Sequence, residues 1–404
     1  MAQSSLEDVI RDEIARTGPL TFARFMALAL YHPVLGYYVG GGSGREPIGW
    51  DGDYVTSGDV HPLWGWCIAR QLHEMWSVLG RPATFHVVEL GGGRGLLARD
   101  VWAYAREHDP SWAAALRYVL VERAAAATPL RVHREASLAA SLGALGVAPD
   151  AVRWTEHAQD ATPPGAVGCI VANEVADALP VHAVEVRDGA LAEIYVDVDG
   201  GRLVERLGPL SMRELSGYLD HFRIPWRTYP AGWRAEICLA AAPWLRSLAP
   251  LLARGFVLIL DYGETARRLY TRDRRRGTLA VYTQHRLGER PLAAPGQQDL
   301  TAHVNFSALA EAGRAAGLRT AGFTTQRELL LRLGIREEVE RRAAHHFPLA
   351  DTDRASDRGQ ADYLRRAAVR HAMATLLEPA GLGGFHALIQ HRGAPRGRLS
   401  RAAR

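Results

Sequence analysis

The chain has 404 residues, 48% apolar and 23% charged, with a net charge of +4; this is the profile of a folded globular protein and excludes wholesale disorder. All 48 basic residues are arginine, which excludes lysine Schiff-base chemistry and a phosphate-loop lysine. The surplus arginine collects in the run Arg272 to Arg276 and in the tail Arg392 to Arg404, too local for a nucleic-acid footprint and read as solvated segments.

In chain order, Leu6 to Ala15 has an amphipathic helical pattern, and Thr21 is placed to cap a second helix reaching Leu30. Tyr31 to Gly58 is rich in Gly, Pro and aromatics and is expected to be a long structured loop with a function. Leu63 to Leu79 is a helix carrying Trp64, Trp66 and Trp76, read as packing. From Phe85 to Glu122 come a short apolar strand (FHVVELG), a tight turn (GGRG), a helix (LLARDVWAYAREH) and a second buried strand (LRYVLVE), half of a doubly wound sheet. The apolar strands GCIVANE and GFVLILDYG both stop at carboxylates. Between them, Glu185 to Glu205 alternates like a hairpin and Ser211 to Leu252 reads as largely helical, together an insertion above the sheet. Helices are expected over Phe306 to Gly317 and Asp362 to Leu377, with a last strand over Phe385 to His391.

The fold class is therefore α/β, a Rossmann-like, twisted, mostly parallel sheet with an N-terminal helical cap and an inserted α+β region. The expected parts are a cap and covering loop (1–80), the first half of the core (81–183), the insertion (184–250), the second half with late helices (251–392) and a basic tail (393–404).

Glu89, Gly91, Gly93 and Gly95 form E-x-G-x-G-x-G where the first strand ends and a helix begins. Glycine allows the unusual dihedrals of such a turn and lets a ligand approach the backbone. A nicotinamide fingerprint, G-x-G-x-x-G, needs glycine three after Gly93, where this chain has Leu96. S-adenosylmethionine brings an ammonium, a sulfonium and a ribose instead of a pyrophosphate. Glu89 can attract its cationic part, and Glu122, ending the second strand, can accept both ribose hydroxyls.

The pieces DGDYVTSGDVHPLWG, VVELGGGRGLLARD, VANEVADALPVH, LILDYGE, GTLAVYTQH and GQQDLTAHVNF, in that order, resemble the MidA family, a group that includes a mitochondrial complex I assembly factor acting as a protein arginine methyltransferase. The likeness runs from PLTFARFMALALYHPVLGYY to GLGGFHALIQ. It implies a class I methyltransferase fold and S-adenosyl-L-methionine as cofactor. It also implies that Asp53, Thr56 and Ser57 enclose the cofactor beside Glu89, Gly91, Gly93, Gly95, Glu122 and Asn173. Asn173, Glu174 and Asp177 would form the wall facing the transferred methyl, with His285 and His303 in further shared motifs. The chain departs from the family at Ser57-Gly58-Asp59-Val60, where S-P-E-I is usual, at Asn305-Phe306, where D-F is usual, and near the end of the insertion.

For a guanidinium acceptor, paired carboxylates such as Glu174 and Asp177 would orient the planar fork. For a phenol, hydroxyl or carboxylate, a histidine base (His182, His285 or His303) would be more natural. The open readings are transfer to an arginine of a protein partner, transfer to a small-molecule O or N acceptor, and a non-catalytic assembly factor. Cys67, Cys169 and Cys238 lack zinc or disulfide spacing, and no signal segment or apolar run long enough to span a membrane is read. A cytoplasmic protein without metal, nucleic-acid or membrane partners is expected, its oligomeric state open, a homodimer being one option.

Overall fold

The computed structural model describes residues 5–39, 46–123, 128–348, 350, 356–395 and 399. Its central sheet contains β1 (Phe85–Leu90), β2 (Leu116–Val121), β3 (Val152–Thr155), β4 (Val167–Asn173), β5 (Arg254–Asp261), β6 (Arg319–Thr325) and β7 (His386–Arg392), in the order β3-β2-β1-β4-β5-β7-β6. Strands β1 to β5 run parallel, whereas β7 is antiparallel to both its neighbours. This is the expected mostly parallel α/β sheet.

Side chains alternate across a strand, and here both faces are covered. Val87, Tyr118, Leu120, Val171 and Leu258 enter one core with helices α3 (Pro62–Val78) and α4 (Leu96–His108), while Val88, Val119, Ile170 and Ile259 enter a second with α6 (Ala241–Leu248) and α7 (Phe306–Ala315). Such two-sided burial explains why the strands read as continuous apolar runs. Trp64 and Trp76 are buried in the first core, and Trp66 lies half-buried beneath the Arg342 guanidinium.

Before the sheet come α1 (Leu6–Thr17), with Ser5 and Asp8 forming a capping box, and α2 (Phe22–Tyr31), whose Arg24 N–H donates to Thr21 Oγ at 3.2 Å. Leu20–Thr21 pairs with Ala190–Asp199, which also pairs with His182–Arg187 and Arg202–Gly208. The N-terminal helices and the insertion thus share one core, in which Ile10, Phe25 and Leu30 meet Ala183, Ile194 and Val196.

The stretch Ser211 to Leu252 corrects the helical expectation. Only α5 (Glu214–His221) and α6 are α-helical, and Arg234–Ile237 joins the edge of the inserted sheet beside His182–Arg187. Trp233, Ala235 and Ile237 point inward, a strand periodicity too short to outweigh the helical signals around it. The last helix, Asp357–Leu376, and β7 lie where expected, whereas β3 and β6 were not foreseen. Among the described residues, no helix is long and apolar enough to cross a membrane. Most of the arginine-rich tail lies outside the described residues.

Candidate functional site

The carboxyl ends of β1, β2, β4 and β5 converge, the place where open parallel sheets bind ligands. Gly91, Gly93 and Gly95 have φ of 64°, 51° and 73°, in the left-handed region that side chains with a Cβ avoid. A Cβ on Gly93 would lie 3.1 Å from Ile48 Cδ1, and one on Gly95 would lie 2.6 Å from Leu138 Cδ2. The turn therefore brings bare backbone to the cleft.

Two spaces adjoin this turn. The larger, about 360 Å³, is lined by Gly91, Gly93, Glu122, His157, Val175 and Trp244 among others. The Gly93 N–H donates to Glu122 Oε2 at 3.1 Å, and the buried Arg134 lies 3.8 Å from the same oxygen. These contacts fix the Glu122 carboxylate at the end of β2. The smaller space, about 80 Å³, is lined by Glu89, Gly91, Gly93, Thr56, Asn173 and Glu174. Tyr118 donates to Glu89 Oε2 at 2.7 Å, yet burial pushes the Glu89 carboxyl up to about 8. A nearby cation would favour its ionised form.

A third cavity, about 570 Å³, holds Asp53, Glu174, Asp177, Tyr262, Asp299 and His303 in its wall. Glu174 and Tyr54 line all three spaces. Glu174 has φ 52° although it is not glycine, local strain of a kind found at functional sites. Its carboxylate accepts the Ser57 N–H and the Asn173 amide, both at 3.1 Å, while burial raises it to about 7. Tyr262 donates to Asp177, whose carboxyl is raised to about 6 by burial. The turn after β4 hangs on Asp261, which accepts the N–H groups of Val175, Ala176 and Asp177 at 3.2, 2.9 and 3.2 Å. Asp299 accepts from Tyr38 at 2.7 Å and is raised by burial to about 7.

The expected site residues separate into groups. Glu89, Gly91, Gly93, Glu122 and Asn173 line the two spaces at the glycine turn, and Gly95 starts α4 behind them. Thr56 lines the smaller space while closing a capping box with Asp59; Ser57 is fully buried and acts through its N–H and its hydroxyl contact with Gln326. Asp53 instead belongs to the third cavity. Its oxygens accept Tyr37 OH at 3.0 Å and Gln284 N–H at 2.8 Å, which ties the covering loop to the hairpin of Ala280–Thr283 and Arg286–Gly288. His285 is exposed at the rim and donates to Trp50 O at 3.1 Å. His303 is half-buried, lowered to about 4 mainly by burial, and edge-on to Tyr262 at 5.4 Å. His182 pairs with Glu193 in the inserted sheet at 2.8 Å, away from the cavity lining.

Sequence reasoning missed Ile48, Tyr54, Tyr38, Asp299 and Arg274. Tyr54 and Asp299 stand inside the quoted motifs DGDYVTSG and GQQDLTAHVNF, which was the available signal. Arg274 corrects the reading of the arginine run as wholly solvated. It is half-buried in the cavity wall, while Arg272, Arg275 and Arg276 are exposed.

The pattern of the S-adenosyl-L-methionine-dependent methyltransferase family matches residues 67–324. The chain belongs to that family. This methyltransferase is 31% identical to a Burkholderia thailandensis protein whose crystal structure holds S-adenosyl-homocysteine; the likeness covers 99% of this chain and 95% of that one, with a TM-score of 0.82. A native crystal structure from the same organism gives 30% identity, the same coverage and a TM-score of 0.79. A mitochondrial protein arginine methyltransferase NDUFAF7 homolog of Drosophila melanogaster is 28% identical over 85% of this chain and 78% of its own length. Its Homo sapiens counterpart is 28% identical over 80% and 72%.

The residues fit the family's cofactor. S-Adenosylmethionine supplies an activated methyl on a sulfonium. Asn173 Oδ1 is buried with no hydrogen-bond partner among the described residues, an acceptor available to an ammonium. Glu89 offers negative charge in the same space, and Glu122 offers acceptors to hydroxyls in the adjoining one.

Proposed function

We propose that the protein methylates an arginine side chain of a protein partner. The observation that carries this reading is the third cavity, where Glu174, Asp177 and Asp299 gather among the rings of Tyr38, Tyr54 and Tyr262. A guanidinium stays protonated in water and presents a fixed fork of N–H donors. Burial raises all three carboxyls, and an arriving cation would draw them back to the ionised state. The names of the fly and human relatives support the same acceptor.

Methylating a guanidinium nitrogen releases one proton. Glu174 lies between the cofactor and acceptor spaces and, at about 7, is suited to take it. His303, near 4, is a weak base. Asp177, steadied by Tyr262, would align the nucleophilic nitrogen, and alignment contributes up to roughly 7–11 kcal/mol in the best intramolecular cases.

The departures at Gly58 and Asn305 give no support to a small-molecule acceptor. Gly58 lines the small cofactor space, and Asn305 accepts the Ser307 and Ala308 N–H groups at the start of α7. Neither lines the acceptor cavity. Cytoplasmic residence remains part of the proposal; the three free cysteines accord with a reducing compartment, while the named relatives are mitochondrial.

The test is incubation with methyl-labelled S-adenosylmethionine and host lysate, fractionated by mass and hydrolysed. Label in methylarginine from protein is expected, and its loss with Asp177→Asn. Label confined to low-mass material would overturn the reading.

A further inference from the structure

Three buried polar atoms in the wall of the acceptor cavity have no hydrogen-bond partner among the described residues: Asp177 Oδ1, Glu264 Oε2 and Arg274 Nη1. A buried donor or acceptor left unmatched is costly, so a native site that keeps several together calls for an explanation. They are two acceptors and one donor. A guanidinium has donors only, so it can satisfy Asp177 and Glu264 but not Arg274.

Asp177 is bonded to Tyr262, whose ring meets His303 edge-on at 5.4 Å, and His303 in turn feels the charges of Arg274 and Glu264. Arg274 and Glu264 line the same cavity as Asp177 and Tyr262 and lie near His303. Both sit on braced backbone. Gly263–Glu264 pairs with Val304–Asn305, and the Arg274 loop is anchored where Arg234 N–H donates to Arg275 O at 2.9 Å.

We propose that Arg274 and Glu264 hold the main chain of the acceptor at the residue being methylated, Arg274 donating to a carbonyl oxygen and Glu264 accepting an N–H. This rests on the arginine reading given above. It gives the cavity two sets of partners, carboxylates for the guanidinium and a donor–acceptor pair for the peptide unit. A free amino acid offers related chemistry through its carboxylate and ammonium, so the test must distinguish it from a peptide.

The experiment is calorimetric titration of the full chain, saturated with S-adenosyl-homocysteine, with Nα-acetylargininamide, free arginine and agmatine, which lacks the main-chain oxygen. Nα-acetylargininamide should bind roughly tenfold or more tighter than agmatine, the worth of one charge-assisted hydrogen bond. Arg274→Gln should erase that difference while leaving agmatine and S-adenosyl-homocysteine affinities unchanged, and Glu264→Gln should reduce it. Equal binding of Nα-acetylargininamide and agmatine, or an Arg274→Gln loss shared equally by both, would overturn the inference and leave the arginine reading intact. Free arginine outdoing Nα-acetylargininamide would also overturn it, in favour of an amino-acid acceptor. Failure of every guanidine to bind would instead count against the arginine reading itself.

Discussion

The cofactor cradle and the acceptor cavity share a wall at Glu174 and Tyr54 but are built differently. The cradle is local. Glu89, the glycine turn and Glu122 come from one strand–turn–helix–strand unit, and its shape is a property of backbone dihedrals. The cavity is assembled from Tyr38, Asp177, Tyr262, Arg274, Asp299 and His303, which belong to separate loops and strands. Its character comes from which side chains packing brings together. A family can therefore keep the first while changing the second, since specificity lies in the site and not in the fold.

The sharpest way to break this contrast is to place a side chain in the cradle. Gly93→Val adds a Cβ within 3.1 Å of Ile48 at φ 51°; S-adenosyl-homocysteine affinity should fall more than about a hundredfold, measured by calorimetry on protein whose circular dichroism is unchanged. Asp177→Asn strikes the other side. It should slow methyl transfer on the order of a hundredfold while S-adenosyl-homocysteine affinity changes by less than about threefold, a split between turnover and binding that equal losses would refute.

Glu89→Gln should cost about tenfold in S-adenosylmethionine affinity, and its pH dependence sharpens the point. With the free carboxyl near 8, most of it is protonated at neutral pH, whereas a cationic ligand favours the ionised form. Affinity should therefore rise as pH increases from about 6 through about 8, and the variant should flatten that rise. The smallest effect belongs to Asn305. Asn305→Ala removes the α7 cap and should cost about 1 kcal/mol in denaturant unfolding, while Asn305→Asp should leave both stability and methyl transfer nearly unchanged.

The same contrast explains what could be read in advance. Two-sided apolar strands, the glycine spacing and the carboxylates at strand ends are local patterns, so β1, β2, β4, β5 and the cradle were legible. The pairing of Leu20–Thr21 with the insertion joins residues about 175 positions apart in register, and no window of sequence contains it. Asp53 stood in a motif beside Thr56, yet its hydrogen bond to Gln284 places it in the acceptor wall. Arg274 sat inside a charged run, where sequence offers no means of telling which guanidinium turns inward. Asp261 was visible as a strand-ending carboxylate, but its work of gathering the N–H groups of the following turn depends on β4 and β5 lying side by side.

A crystal structure of this chain with S-adenosyl-homocysteine would test the central claim most directly. The ribose should lie against Glu122 and the sulfur beside Glu174, with its open side toward Asp177 and Tyr262. A sulfur walled off from that cavity by protein, or a ligand lying away from the glycine turn, would contradict it.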